Sequence, residues 1–234
     1  MPTIDSERLN TSLRNLDTGS GTDIDAAISE VVDAVVTLFQ VKGSGLMIAD
    51  EESSLHYLVA SGPTSRLLEN AESAAGEGPC VTAFTNNELV HADDLRQDSR
   101  WPAVRETFLR EGAVAVLGVP VRIERVPVGT LDVFHDRPHV WDESERLALT
   151  RYADVIGTIL AAALAARRAG ELAGQLQYAL DYRIVIERAV GYLMAQRRVD
   201  AVRAFDLLRT SARGRRRKVA EVARYLLDTG ALPA

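Results

Sequence analysis

Apolar and polar residues follow two rhythms along this chain, and the rhythms separate helices from strands. Between residues 25 and 40 the apolar positions recur every three or four residues, which predicts a helix with one buried face. Two short apolar runs, 46–49 and 55–60, predict the strands of a hairpin whose turn covers residues 50–54. The glycine-rich segment 43–45 is expected to end the preceding helix.

The following segment predicts shorter helices and strands before one long helix. Pro79 and Pro102 suit the first turns of two helices, and Gly112 suits the end of the second. Asp142 and Glu145 match the start of the long helix, because side chains at this spacing can cap each other's backbone N–H groups. We expect helices over 65–74, 79–85, 102–112 and from 142 onward, and strands over 88–91, 114–121 and 128–134, with a turn at 123–127.

This order of elements predicts an α+β domain over residues 23–166. It contains the motifs Gly76-x-Gly-Pro-Cys80-x-x-Ala83, Asp94-Leu95 with Arg100-Trp101-Pro102, Gly118-Val119-Pro120-Val121 with Gly129-Thr130-Leu131, and Trp141-Asp142-Glu143. Together these motifs resemble those of a GAF domain. The resemblance implies an antiparallel sheet with flanking helices that senses a small molecule or a partner. It also implies a pocket near Cys80 and Trp101, which we take as candidate ligand-binding residues.

Three further helical patterns occupy residues 181–234, each with one apolar face, so they predict a small all-α bundle. A helical linker over residues 167–180 is expected to join this bundle to the first domain. The bundle contains three motifs, Arg183-x-x-Ile186-Glu187-x-Ala189-x-Gly191-x-Leu193-Met194, Ala204-Phe205-x-x-Leu208-Arg209 and Lys218-Val219-x-Glu221-Val222-Ala223. With these motifs it resembles an ANTAR domain, and the resemblance implies binding of RNA hairpins and transcription antitermination.

The charge distribution agrees with an acidic domain joined to a basic one. The net charge of −6 divides into −13 for residues 1–181, with 15 basic and 28 acidic residues, and +7 for residues 182–234, with 12 basic and 5 acidic residues. Such asymmetry is typical of a chain with one part that meets a polyanion, although a well-solvated basic helix surface explains it equally well.

The candidate RNA-binding residues cluster around one basic run. Five cations lie within the six positions from Arg213 to Lys218, and we expect this run to open the third helix. Cations at a helix start oppose the helix dipole, which favours an anionic partner over a merely solvated surface. The candidates are Arg183, Arg188, Gly191, Tyr192, Arg209, Arg213, Arg215, Arg216, Arg217 and Lys218, of which the two helix-one arginines can instead pair with Glu187 or Asp181.

One position departs from the ANTAR pattern. The family usually carries a lysine between the alanine and the glycine of the first block, where this chain has Val190. Because each cation at a phosphate adds to affinity and to salt sensitivity, its loss weakens RNA binding unless Arg188, Arg197 or Arg198 compensates. The alternative is that the basic domain binds something else.

The sequence also permits functions other than RNA binding. The basic helices could read duplex DNA or dock an acidic protein, including the chain's own acidic half. An enzyme is disfavoured, since no nucleotide-binding loop, nucleophile elbow or zinc-binding helix motif occurs, and GAF-like methionine sulfoxide reductases use several cysteines where this chain has one.

Simple composition limits the remaining possibilities. Because Cys80 is the only cysteine, we expect no intrachain disulfide and no cysteine-based zinc site, and inert packing is favoured over a redox sensor. His135 and His139, together with Asp136, could hold a metal ion. We favour the alternative that these histidines simply lie in a surface loop. No signal peptide or membrane span is expected, so a cytoplasmic protein fits best. We further expect a loose arm over residues 1–22 and a homodimer through the helix near 142–180, and the sequence identifies no cofactor.

Overall fold

The computed structural model describes residues 3–16, 24–50, 52–166 and 171–233, with the side chains of residues 166 and 171–182 outside the description. Strands β1 to β5 span Gly43–Ala49, Leu55–Ala60, Val90–Ala92, Ala115–Ile123 and Val126–His135. Helices α1 to α9 span Ser6–Arg14, Ile24–Phe39, Pro63–Ala75, Pro79–Asn86, Pro102–Arg110, Glu143–Ala166, Glu171–Arg197, Ala201–Arg215 and Val219–Thr229.

The strands form an antiparallel sheet in the order β2-β1-β5-β4-β3. Helices α2 and α6 cover one face and share an apolar core with it. Helices α3, α4 and α5 cover the other face. This arrangement confirms the predicted α+β class, because each amphipathic helix buries its apolar side against the sheet.

Helix α6 is the main core helix of this domain. By length and mean hydropathy (1.5) its segment Glu143–Ala165 could cross a membrane. However, Leu149, Tyr152, Ile156 and Leu160 are completely buried among protein side chains. A one-sided apolar surface packed against a sheet is the pattern of a core helix, so the hydropathy is weak evidence for a span.

The amino-terminal segment differs from the expected loose arm. Residues 6–14 form helix α1, and Ile4 and Leu9 are buried in the core with α2 and α6. The hydroxyls of Tyr152 and Ser12 lie 2.6 Å apart, and the backbone N–H of Ile4 donates to Ser144. The expectation is therefore wrong for residues 3–16, since their few apolar side chains cover the outer end of the core.

Strand β1 also begins earlier than expected, at Gly43. The glycine-rich segment was predicted to end a helix, but Gly43 and Gly45 pair with Phe134 and Asp132 of β5. A β-carbon on Gly45 would collide with the carboxylate of Glu69 from α3. Glycine here serves close packing of a helix on the sheet rather than a turn.

Helices α7 to α9 form a bundle around their own apolar core. Helix α7 runs without a break from 171 to 197, so residues 171–180 of the expected linker belong to the first bundle helix. Residues 167–170 lie outside the described part. The bundle contacts the first domain at α4 and at the sheet.

The basic run occupies a different place from the one predicted. Helix α8 ends at Arg215, Arg216 follows in the left-handed region with φ 54°, and Lys218 is the N-cap of α9. Most of the run therefore lies at a helix carboxyl end, where the dipole favours cations. The dipole argument against a solvated surface was wrong, and the run needs no anion to offset it.

Candidate functional site

The predicted RNA-binding residues divide into an exposed set and a set held against the first domain. Arg188, Arg215, Arg216 and Arg217 are exposed, and Lys218 is half-buried. Arg217 pairs with Glu221 at 3.2 Å, and Arg215 donates to the Ser211 carbonyl at 3.3 Å. Each guanidinium keeps further N–H donors, so phosphates could bind along this α8–α9 turn.

Two further candidates, Gly191 and Tyr192, lie on α7 at the surface of the bundle. Tyr192 is 39% exposed and its hydroxyl donates to the carbonyl of Gly230 at 3.3 Å, which holds the ring at the bundle surface. Gly191 faces open space, with nothing within 4 Å of the place of a β-carbon. Ala189 is instead fully buried in the bundle core, so the close approach that it permits is between helices.

Arg183 lies between the two domains rather than on the surface. Its side chain is only 3% exposed, it donates to the carbonyl oxygen of Phe84 at 3.0 Å, and it pairs with Glu187 at 3.4 Å. The guanidinium also stands 4.2 Å from the centre of the Phe84 ring, in a cation–π arrangement. In this arrangement of the domains Arg183 is not accessible to RNA.

Arg209 and Arg213 are also directed at the first domain. The guanidinium of Arg209 packs directly on Gly76 at the end of α3 and pairs with Asp206 at 2.8 Å. Arg213 donates to the hydroxyl of Ser54 at 3.3 Å, although its side chain stays largely exposed. Three of the predicted RNA contacts are thus engaged by α3, α4 and the β1–β2 hairpin.

Val190 lies at the edge of the same junction. It is 9% exposed, contributes to the bundle core, and lines a groove between the end of α4 and the helices α7 and α8. The groove is also lined by three acidic residues, Glu88, Glu187 and Asp200, and by one basic residue, Arg183. A lysine at this position would therefore enter an acidic groove in the docked arrangement.

Cys80 lies in the first turn of α4, beneath the sheet. The carboxylate of Glu72 caps this helix by accepting the backbone N–H groups of Cys80 and Val81 at 2.8 and 3.2 Å. The thiol of Cys80 donates to Asp132 Oδ2 at 3.3 Å. Cys80 is 3% exposed, and its burial raises the pKa of the thiol well above the ordinary value.

Acidic groups that sequence reasoning missed surround this cysteine. Glu69 from α3 and Asp132 from β5 approach the thiol so that the three donor atoms lie within 4.8 Å of one another. Burial raises the pKa of Glu69 well above its ordinary value, the pKa of Glu72 to about 8 and that of Asp132 to about 6. No motif marked these acids, because β5 and α3 are distant in sequence and meet only in the fold.

Trp101 does not line an open pocket. It is 3% exposed, its indole N–H donates to the Thr82 hydroxyl at 2.8 Å, and Arg100 covers the ring at 4.2 Å. It packs with α5 and β3, whereas Cys80 packs with β1 and Phe84. Cys80 belongs to α4 and Trp101 contacts this helix through Thr82, but the two residues lie in different apolar clusters and not in one site.

The histidines form a packed group rather than a surface loop. His135 is 5% exposed and stacks on Trp141, with ring centres 5.4 Å apart, and burial lowers its pKa to about 4. His139 lies 2.7 Å from Glu145 Oε1 at the start of α6. Asp136 is exposed. The surface-loop interpretation was therefore wrong for His135, which packs at the edge of the core.

Comparison with protein families identifies both parts of the chain. A model of the GAF domain matches residues 23–160, and a model of the ANTAR domain matches residues 174–227. Curated protein sequences contain no significant match. The two matches cover the sheet domain and the helical bundle in turn.

Solved structures agree on the fold of the first domain. The GAF domain of a phosphoenolpyruvate-protein phosphotransferase from Acinetobacter matches 68% of this chain and 94% of its own length, with a TM-score of 0.54 and 18% identity. A free methionine-R-sulfoxide reductase from Neisseria meningitidis, in complex with its substrate, matches 71% and 98%, with a TM-score of 0.56 and 17% identity. At this identity the similarity extends to the fold alone.

Proposed function

The chain belongs to the regulators in which a GAF domain precedes an ANTAR domain, the arrangement of antitermination regulators, and from this we infer that it binds RNA hairpins in nascent transcripts. Holding one hairpin prevents a competing terminator from forming. The observation that supports this role is the exposed run of cations in the α8–α9 turn, whose guanidinium groups suit phosphates.

The GAF domain is proposed to control this binding. Arg183 is buried and Arg209 largely buried against the GAF domain, so the docked arrangement withholds these two cations from RNA, and it engages one donor of the exposed Arg213. A signal that favours undocking would return them to the RNA-binding surface. Such a signal acts only through a difference in its affinity for the two arrangements.

The proposal also covers the location, oligomeric state and regulatory role of the protein. We expect a cytoplasmic homodimer that pairs through the region 142–180, where Leu147 of α6 is 52% exposed. We expect regulation rather than catalysis, because both matched families are regulatory. The dimer is tested by the mass of the full chain in solution across a concentration series.

The central experiment compares hairpin RNA with duplex DNA of matched length on the full chain. Affinities are measured over a series of salt concentrations, because phosphate contacts make the logarithm of the affinity fall linearly with that of the salt. We expect a preference for the hairpin. Preference for the duplex would favour a DNA-binding regulator, and no binding of either would favour a protein partner.

A further inference from the structure

The acidic core beneath the GAF sheet brings together three side chains whose oxygen and sulfur atoms could bind a metal ion. Glu69, Cys80 and Asp132 present a carboxylate, a thiol and a second carboxylate within 4.8 Å of one another. Glu69 and Cys80 are each 3% exposed, while Asp132 keeps partial exposure. Three separate elements, α3, α4 and β5, supply one residue each, so the tertiary fold and not a local motif assembles the group.

Within the described residues, this core lacks a positive counterpart. The electrostatic neighbours of Glu69, Glu72 and Cys80 are one another and Asp132, all of them acidic. Burying several ionisable acids together is costly unless protons or a cation neutralise them. Glu69 and Asp132 share a side-chain hydrogen bond, so one of them holds a proton, which a bound cation would replace.

Two buried oxygen atoms lack partners at this place. Glu69 Oε2 has no hydrogen-bond partner, and neither has Thr130 Oγ1, although Thr130 is completely buried. Thr130 and Asp132 are two residues apart on β5, so they share the sheet face that looks toward α3 and α4. Buried polar atoms are rarely left unpaired, so the free oxygen of Glu69 and the hydroxyl on the same side of the sheet as Asp132 favour a polar or ionic ligand in this core.

Gly45 provides the space for Glu69. It pairs with Asp132 across the β1–β5 ladder, and a β-carbon there would collide with Glu69 Oε1. The absent side chain lets the Glu69 carboxylate reach the sheet beside Asp132. The local backbone thus accommodates a carboxylate that an apolar core would exclude.

We propose that Glu69, Cys80 and Asp132 bind a divalent transition metal of the zinc or ferrous type. This deepens the sensing role proposed above, on which its regulatory meaning rests, by naming the class of ligand that the GAF domain takes. The metal offsets two of the three negative charges of the deprotonated ligands, its binding releases the thiol proton to solvent, and water supplies a fourth ligand.

The donor set selects the class of metal. A thiolate is a soft ligand that calcium and magnesium avoid, whereas zinc accepts thiolate together with carboxylate. Tetrahedral zinc with ordinary bond lengths separates a sulfur from an oxygen ligand by about 3.5 Å. The Sγ of Cys80 and Oδ2 of Asp132 lie 3.3 Å apart, which a bound zinc ion needs to change only slightly.

Glu72 acts here as a positioning residue. By accepting the N–H groups of Cys80 and Val81 it fixes the first turn of α4, and with it the direction of the thiol. The same helix ends near Phe84, whose carbonyl holds Arg183 of the bundle. A metal that draws Cys80 toward β5 would shift α4 and therefore the contact that docks the ANTAR domain.

The test uses the full chain, stripped of metal with a chelator and then titrated with zinc or cobalt. We expect one metal per chain and, with cobalt, the absorption of a cobalt–thiolate bond. C80S should abolish that absorption, and E69Q or D132N should weaken zinc binding at least about tenfold, the lower end of the loss seen even for residues that only support ligands.

Control variants separate this site from other sites. H139Q alters the histidine group and should leave binding unchanged, and circular dichroism should show that each variant folds. Absence of stoichiometric binding, or binding that survives C80S but fails in H139Q, would overturn the proposal. Hairpin affinity measured with and without zinc tests only whether the metal regulates RNA binding. A negative result for metal binding therefore leaves the RNA-binding proposal intact, and a negative result for RNA binding leaves the metal site intact.

Discussion

The guanidinium of Arg183 donates to the carbonyl oxygen of Phe84 at 3.0 Å and covers its ring, which joins the ANTAR bundle to the GAF sheet domain. One residue thus belongs by motif to the ANTAR domain and by contact to the GAF domain. If the bundle binds RNA as proposed, Arg183 cannot contact RNA and Phe84 at once. Competition between RNA and the GAF domain for this side chain would then be a physical basis for control.

R183Q is expected to loosen the docked arrangement. Losing a charge-assisted, buried hydrogen bond costs about 1.5–3 kcal/mol, so the docking equilibrium should shift at least about tenfold toward the open form. Small-angle scattering should then give a larger radius of gyration, and hairpin RNA should bind more tightly to the full chain. R203Q, which changes an exposed arginine of α8 outside the candidate RNA-binding set, serves as control. Weaker RNA binding with unchanged dimensions would mean that Arg183 contacts RNA directly.

Replacing Arg215, Arg216 and Arg217 together by alanine tests the exposed run. If each contacts a phosphate, hairpin affinity should fall and the slope of log affinity against log salt should become shallower by about 2. Arg217 should contribute least, because it already pairs with Glu221. R137A removes an exposed arginine of the GAF domain and should change neither quantity. An unchanged slope in the triple variant would identify the run as ordinary solvated surface.

V190K restores the lysine usual in the family. Val190 belongs to the bundle core, so the change should lower the free energy of unfolding by about 1 kcal/mol or more. In the undocked arrangement the new cation should raise hairpin affinity and steepen the salt slope by about 1, whereas in the docked arrangement it would pair with the acidic groove and reduce this gain. V190A is the matched control, since it loses similar packing without adding charge. If V190K binds no better than V190A, the missing lysine does not explain any weakness of binding.

Periodicity predicted the elements that form the two cores, because amphipathic spacing directly reflects burial. It predicted α2, the β1–β2 hairpin and the three bundle helices, and the motifs identified both domains. The acidic core around Glu69 and Asp132 was not predictable, since its members are brought together only by packing of α3 on β5. The docking of Arg183 was equally hidden, because an exposed and an interdomain arginine have the same local sequence pattern.

Helix α1 lies in the amino-terminal segment that the sequence predicted to be a loose arm. Leu9 is 8% exposed and packs against the core with α2 and α6. L9A should lower the free energy of unfolding by about 2–3 kcal/mol, the low end for a buried leucine, because α1 lies at the edge of the core. L67A, at a leucine that is 40% exposed on α3, should cost less than about 0.5 kcal/mol. Urea unfolding of the two variants under identical conditions measures the difference between their free energies of unfolding. If both variants lose equally little, residues 3–16 do not contribute to the stability of the core.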